Sequence, residues 1–127
     1  MAIVLVIEDD EQVRRVTERL LVRRGHDVIA AKNGHDALRR TSHCTPDLII
    51  TDIYMPECDG FEVITLLRST SSDVRIIAMS AGHIHGLDVL GVAGRLGAQV
   101  QLPKPFTEAQ LLAAVDEALA PPERRTG

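Results

Sequence analysis

Two stretches constrain the fold of this chain more than any others: Ile3-Val4-Leu5-Val6-Ile7 and Leu48-Ile49-Ile50. Both are continuous apolar runs, rich in β-branched residues and free of polar alternation. A strand with one wet face alternates, whereas an unbroken run suits a strand covered on both faces, as in a parallel sheet. They lie within predicted strands Ile3–Ile7 and Asp47–Thr51, and Asp27–Ala30, Arg75–Met79 and Val100–Leu102 complete a set of five.

Between the strands the apolar period becomes helical. Glu11–Arg24 sets Val13, Val16, Leu20 and Leu21 on one stripe, and Gly25 follows as a stop. Asp36–Thr41, Asp59–Ser69, Leu87–Leu96 and Thr107–Leu119 are the other predicted helices, the last with Thr107 as its N-cap and Leu111, Leu112, Val115 and Leu119 inward. Strand and helix alternate five times, which predicts an α/β domain with a parallel sheet between two helical layers. One domain over 1–120 accounts for this pattern, and residues 121–127, opening on Pro121-Pro122, are expected to be a tail or the start of a linker.

Composition removes several function classes. The 127 residues are 45% hydrophobic and 25% charged, enough for a core without metal or disulfide staples. Lys+Arg is 14 against Asp+Glu 18, a net charge of -4, which argues against direct nucleic-acid binding. No apolar run approaches the roughly 20 residues of a membrane helix. The start meets Glu8 too soon for a signal peptide, and Cys44 and Cys58 lack metal-ligand spacing, so a reducing cytoplasm is expected. The aromatic residues are Tyr54, Phe61 and Phe106, few rings on which to stack a flavin or successive bases.

In open α/β sheets, ligands bind beyond the carboxyl ends of the strands. Beyond the first strand stand Glu8, Asp9 and Asp10; at the end of the third, Asp52; at the end of the fourth, Ser80; after the fifth, Lys104. Clustered carboxylates hold a proton or bind a cation. An oxygen-only set suits Mg²⁺, which bridges readily to phosphate. An ammonium and a hydroxyl opposite would grip phosphoryl oxygens, and one carboxylate would be the nucleophile. Asp10 reads as a helix-start acid rather than a member of the pair.

The motifs Val4-Leu5-Val6-Ile7-Glu8-Asp9-Asp10-Glu11, Pro46-Asp47-Leu48-Ile49-Ile50-Thr51-Asp52-Ile53-Tyr54-Met55-Pro56, Asp59-Gly60, Ile77-Ala78-Met79-Ser80-Ala81 and Leu102-Pro103-Lys104-Pro105-Phe106 together resemble the receiver domain of two-component response regulators. The resemblance runs from Ala2 to Leu119. It implies a flavodoxin-like, doubly wound fold with strand order 2-1-3-4-5 and five helices. It implies that Asp52 accepts a phosphoryl group from a phosphohistidine of a histidine kinase or phosphotransfer protein. Mg²⁺ would be held by Glu8, Asp9, Asp52 and the Tyr54 carbonyl, with Ser80 and Lys104 contacting the phosphoryl group across a cis Lys104–Pro105 bond. The role is that of a cytoplasmic signalling protein, not an enzyme beyond assisting its own phosphorylation and dephosphorylation. It would be a monomer or weak dimer, acting on a downstream protein or on an output domain outside this chain.

Two features depart from the family pattern. Gln101 stands where many members carry an aromatic residue, and the segment from Ser80 to Lys104 is longer than in the compact chemotaxis type. Gly91 and Gly94 fall inside the predicted fourth helix; they either permit its close packing on the sheet or mark it as a soft element that would carry the signal. His83 and His85 read as loop histidines, and Arg14, Arg15, Arg19, Arg23 and Arg24 as a solvated face that partly meets the kinase.

Three other readings compete. A haloacid-dehalogenase-like phosphatase normally needs a second Asp two places after its nucleophile, where this chain has Tyr54, and puts that nucleophile on the first strand. A flavodoxin-like electron carrier needs a glycine- and hydroxyl-rich phosphate loop, which Glu8-Asp9-Asp10 would repel. A degenerate receiver that only binds partners would not need the full set of Glu8, Asp9, Asp52, Ser80 and Lys104.

Overall fold

The computed structural model describes residues 2–42, 44–52, 74–80, 83–84, 87–88 and 98–120. Its centre is a five-stranded parallel sheet built from β1 (Ile3–Ile7), β2 (Asp27–Ala31), β3 (Leu48–Asp52), β4 (Arg75–Ser80) and β7 (Val100–Pro103), in the order β2-β1-β3-β4-β7. With the short pair β5 (His83–Ile84) and β6 (Leu87–Asp88) set aside, this is the 2-1-3-4-5 order expected of a flavodoxin-like fold. The register aligns the strand ends: Ile7 pairs with Thr51, Asp52 with Met79, and Ser80 with Pro103.

The unbroken apolar runs are buried on both faces. Val4 and Val6 join Leu48, Ile50, Ile77 and Met79 in a core roofed by Leu21 of α1 (Glu11–Arg23) and Leu111, Val115 and Ala118 of α3 (Glu108–Leu119). Leu5, Ile7 and Ile49, on the opposite pleat, are equally buried on the other side of the sheet. Each fully buried Leu or Ile contributes roughly 2 kcal/mol of apolar burial.

Local signals fix the helix ends. Asp10 caps α1 by accepting from the Val13 N–H at 3.1 Å. Its other end closes as a Schellman motif: the His26 N–H reaches the Leu21 carbonyl at 3.1 Å and the Gly25 N–H reaches Val22 at 3.0 Å, with Gly25 at φ 95°. Thr107 caps α3 in a reciprocal box with Gln110. Helix α2 (Gly34–Arg40) begins two residues earlier than the sequence reading placed it, because Asn33 is the cap. Asp36 is therefore not the helix start. It is buried, accepts from the Lys32 N–H at 3.2 Å, and is paired with Arg39 and with Arg40 at 3.0 Å. These partners outweigh its desolvation and hold its carboxyl at about 2, below the ordinary 3.8.

Two expectations are corrected. Leu87 and Asp88 do not open a helix; they pair antiparallel with Ile84 and His83. The rest of the predicted fourth helix, with Gly91 and Gly94, lies outside the described residues, as do the predicted third helix and residues 121–127. Val16 does not join the buried stripe of α1 and is 54% exposed. The stripe that packs inward runs through Val13, Thr17, Leu20 and Leu21, and Val16 lies at its margin.

Candidate functional site

At the carboxyl edge of the sheet, neighbouring strands deliver their last residues to one place. β1 delivers Glu8, which is fully buried and still tied to β2 by its N–H on the Ala31 carbonyl at 3.0 Å. β3 delivers Asp52, 7% exposed. The turn after β7 delivers Lys104, and the Lys104–Pro105 peptide is cis, as the resemblance implied. The Lys104 ammonium donates to Asp52 Oδ2 at 2.8 Å and also to Glu8 Oε1. Residues 52 and 96 positions apart in the chain thus form one ion cluster.

Asp9 completes the acidic set. It is exposed, and its carboxylate offers an oxygen within 4.8 Å of those from Glu8 and Asp52. Asp10 turns away to cap α1, as expected of a helix-start acid. Its N–H is held by Glu8 Oε2 at 3.1 Å. Glu8 and Asp9, rather than Asp10, thus turn their carboxylates towards Asp52.

The electrostatics follow from crowding. Burial pushes the Glu8 carboxyl up from 4.5 to about 7; the Lys104 hydrogen bond opposes this, and the hydrogen bond with Asp9 and the charge on Asp52 add to it. For Lys104, burial acts to lower the ammonium, but its bonds to Asp52 and Glu8 win and raise it above the ordinary 10.5. The cluster thus holds more negative charge than one ammonium neutralises. Among the described residues its donor set is oxygen only, with no sulfur or imidazole, and matches a hard divalent cation such as Mg²⁺.

Ser80 ends β4, one residue beyond the Met79 that pairs with Asp52, so its backbone is at the same edge. Its side chain and the whole of Tyr54 lie outside the described residues. Beside the cluster, a cleft of about 490 Å³ runs between α1 and the turn after β7, lined by Gln12, Val13, Val16, Thr17, Lys104, Pro105 and Phe106.

The sequence reading missed Arg14, which it grouped with the solvated arginines. Its guanidinium Nη1 donates to the Glu8 carbonyl at 2.9 Å. The available signal was its place on the second turn of a helix that starts beside the acids, since helical side chains lean towards the N-terminus. Arg15, by contrast, pairs with Glu11 at 2.9 Å with both side chains exposed, as the i,i+4 spacing predicted.

Residues 4–116 match the response regulator receiver domain family. The chain belongs to that family. It is 38% identical over 110 residues to the response regulator MprA of Mycolicibacterium vanbaalenii, which covers 87% of this chain and 47% of that protein. It is 40% identical over 116 residues to the transcriptional regulatory protein PrrA of Mycobacterium leprae, covering 91% of this chain and 49% of the relative. The receiver thus spans about half the length of these relatives. Among solved structures, the chemotaxis protein CheY4 of Vibrio cholerae superposes with a TM-score of 0.85 at 28% identity, covering 94% of this chain and 99% of that one. This stretch of chain is a receiver domain of the two-component response regulator type. Among the described residues, no helix is long and apolar enough to cross a membrane.

Proposed function

We propose that this receiver takes a phosphoryl group from a phosphohistidine of a histidine kinase or phosphotransfer protein onto Asp52. The observation that carries the reading is the Lys104 ammonium held between Asp52 and Glu8, with the Asp9 carboxylate beside them. An Asp52 carboxylate oxygen attacks phosphorus. A P–O bond forms, the P–N bond breaks, and its electron pair returns to the imidazole, which takes a proton from solvent. Lys104 then moves its hydrogen bonds from carboxylate to phosphoryl oxygen, and Ser80 donates to another. Glu8, Asp9, Asp52 and the Tyr54 carbonyl would hold a Mg²⁺ ion, whose charge would let a phosphate approach three acids. Asp10, spent on the helix cap, takes no part. The domain extends over 1–120, works in the cytoplasm as a monomer or weak dimer, and passes its state to a protein partner or an output domain. The cleft between α1 and Lys104-Pro105-Phe106 opens beside the cluster and suits the docking of the phosphodonor.

Incubation with acetyl phosphate and Mg²⁺ should add the mass of one phosphoryl group, and chelation with EDTA should prevent it. Asp52→Asn should gain none. Undiminished labelling of that variant would move the acceptor elsewhere. The phosphatase reading is disfavoured because Asp52 stands on β3 and the acid pair occupies the end of β1. Steady turnover of a small phosphate ester would revive it.

A further inference from the structure

The turn that carries the acid pair is short and under charge strain, and what holds it can be followed bond by bond. Glu8 N–H closes the last link to β2, on Ala31 at 3.0 Å. Glu8 Oε2 takes the Asp10 N–H at 3.1 Å, and Asp10 Oδ1 takes the Val13 N–H at 3.1 Å. These bonds fix the residues on either side of Asp9. The peptide joining Glu8 to Asp9 is fixed by another contact, the Arg14 Nη1 donor on the Glu8 carbonyl at 2.9 Å. That carbonyl lies just past the end of β1. Arg14 is partly buried, whereas its neighbour Arg15 faces solvent and pairs with Glu11.

We infer that Arg14 is a positioning residue: it sets the plane of the Glu8–Asp9 peptide and so keeps the exposed Asp9 carboxylate aimed at Asp52. A bond from a charged guanidinium to a carbonyl is stronger than a neutral one and directional. Without it the peptide can rotate, and the Asp9 carboxylate spends part of its time pointing away from its partners. Repulsion from the Asp52 carboxylate favours that rotation. Groups that orient metal ligands from outside the ligand set commonly change affinity by tenfold or more. The inference rests on the phosphoacceptor reading, and it makes Arg14 act through Asp9 rather than on the phosphoryl group.

The test compares Arg14→Gln, Arg14→Lys and Arg15→Gln with the wild-type chain in three measurements. The first is hydrogen exchange at the Asp9 and Asp10 amides in metal-free protein. The second is Mg²⁺ affinity from titration of backbone NMR shifts. The third is the rate of labelling by acetyl phosphate against Mg²⁺ concentration. Gln keeps helix propensity and the stem but loses the charged fork. Lys keeps the charge, but its ammonium falls short by about one bond length and lacks the planar fork. For Arg14→Gln, we expect faster exchange at Asp10, about tenfold weaker Mg²⁺ binding, and a labelling rate at saturating Mg²⁺ within about twofold of wild type. Arg14→Lys should recover less than half of the lost affinity on a logarithmic scale, and Arg15→Gln should match wild type throughout. Wild-type Mg²⁺ affinity in Arg14→Gln overturns the inference, as does full recovery in Arg14→Lys, which would make the effect one of charge alone. A loss of saturating rate with unchanged Mg²⁺ affinity also overturns it. If the wild-type chain itself takes no phosphoryl group, the phosphoacceptor reading fails first and the inference falls with it.

Discussion

Glu8→Gln is the substitution that asks most of the site's electrostatics. Glu8 is fully buried, and its carboxyl titrates at about 7 instead of 4.5. The folded state therefore binds this proton more tightly than the unfolded chain. Stability is complete below about 4.5 and declines as pH rises through about 7, the reverse of a salt-bridged acid. Tenfold in proton affinity is about 1.4 kcal/mol, so the decline attributable to Glu8 is about 3 kcal/mol between the two limits. Gln cannot titrate. It also gives up part of the present bonding, because Oε1 serves Lys104 and Oε2 serves the Asp10 N–H, and an amide nitrogen in the second place would face another donor. That loss, about 1 to 2 kcal/mol, is the same at every pH. The informative quantity is therefore the slope of the difference between the two proteins. Urea unfolding in EDTA-containing buffers at pH 5, 6, 7 and 8 should show Glu8→Gln less stable than wild type at pH 5 and gaining on it by about 2.5 kcal/mol at pH 8. Parallel curves would refute the idea that burial and like charge load this carboxyl. Saturating Mg²⁺ should flatten the wild-type curve, since a bound cation favours the anion.

Asp9→Asn should weaken Mg²⁺ binding by an order of magnitude, while Asp10→Asn, a cap that keeps its acceptor oxygen, should change it little; equal losses by NMR titration would put the acid pair one residue out of register. Asp36→Asn should lower stability by about 1 to 2 kcal/mol at neutral pH, discounted for its exposed arginines, with the difference vanishing in acid. Its depressed carboxyl gives stability that is present above 3.8 and lost as pH falls through about 2, so an Asn variant equally stable at pH 7 would deny Asp36 that role. Lys104→Ala should fold and accept a phosphoryl group yet fail to change partner affinity on phosphorylation; an intact response in a pull-down or fluorescence titration would remove Lys104 from the output.

The strands were legible because their residues leave little choice. Ile3–Ile7 is observed with its predicted bounds, and the other four sheet strands differ from expectation by single residues at their ends. The carboxyl-edge rule then brought Glu8, Asp52 and Lys104 to one place from sequence alone. What was not legible depends on side chains reaching across the fold. Asp47 uses its carboxylate to take the Ile3 N–H at 2.9 Å, and Gln99 uses its amide oxygen to take the Ile76 N–H at 2.8 Å, each extending the sheet's bonding without being a strand residue. No period reports such contacts. Leu87 was misread because Val89, Leu90 and Ala93 after it gave a helical period, while the better signal, two short runs separated by His85-Gly86, is a hairpin pattern.

The separation of 96 residues between Lys104 and Glu8 has a consequence for how the chain is made. A parallel sheet contains only long-range pairings, and β7 leaves the ribosome after the other four strands of this sheet. Until it docks on β4, Glu8 and Asp52 have no ammonium between them and stand at the edge of an unfinished sheet. The cation arrives with the closing strand, so charge balance at the site and completion of the sheet are the same folding event. A nascent chain long enough to pair β1, β2 and β3 would still carry a repelling acid cluster.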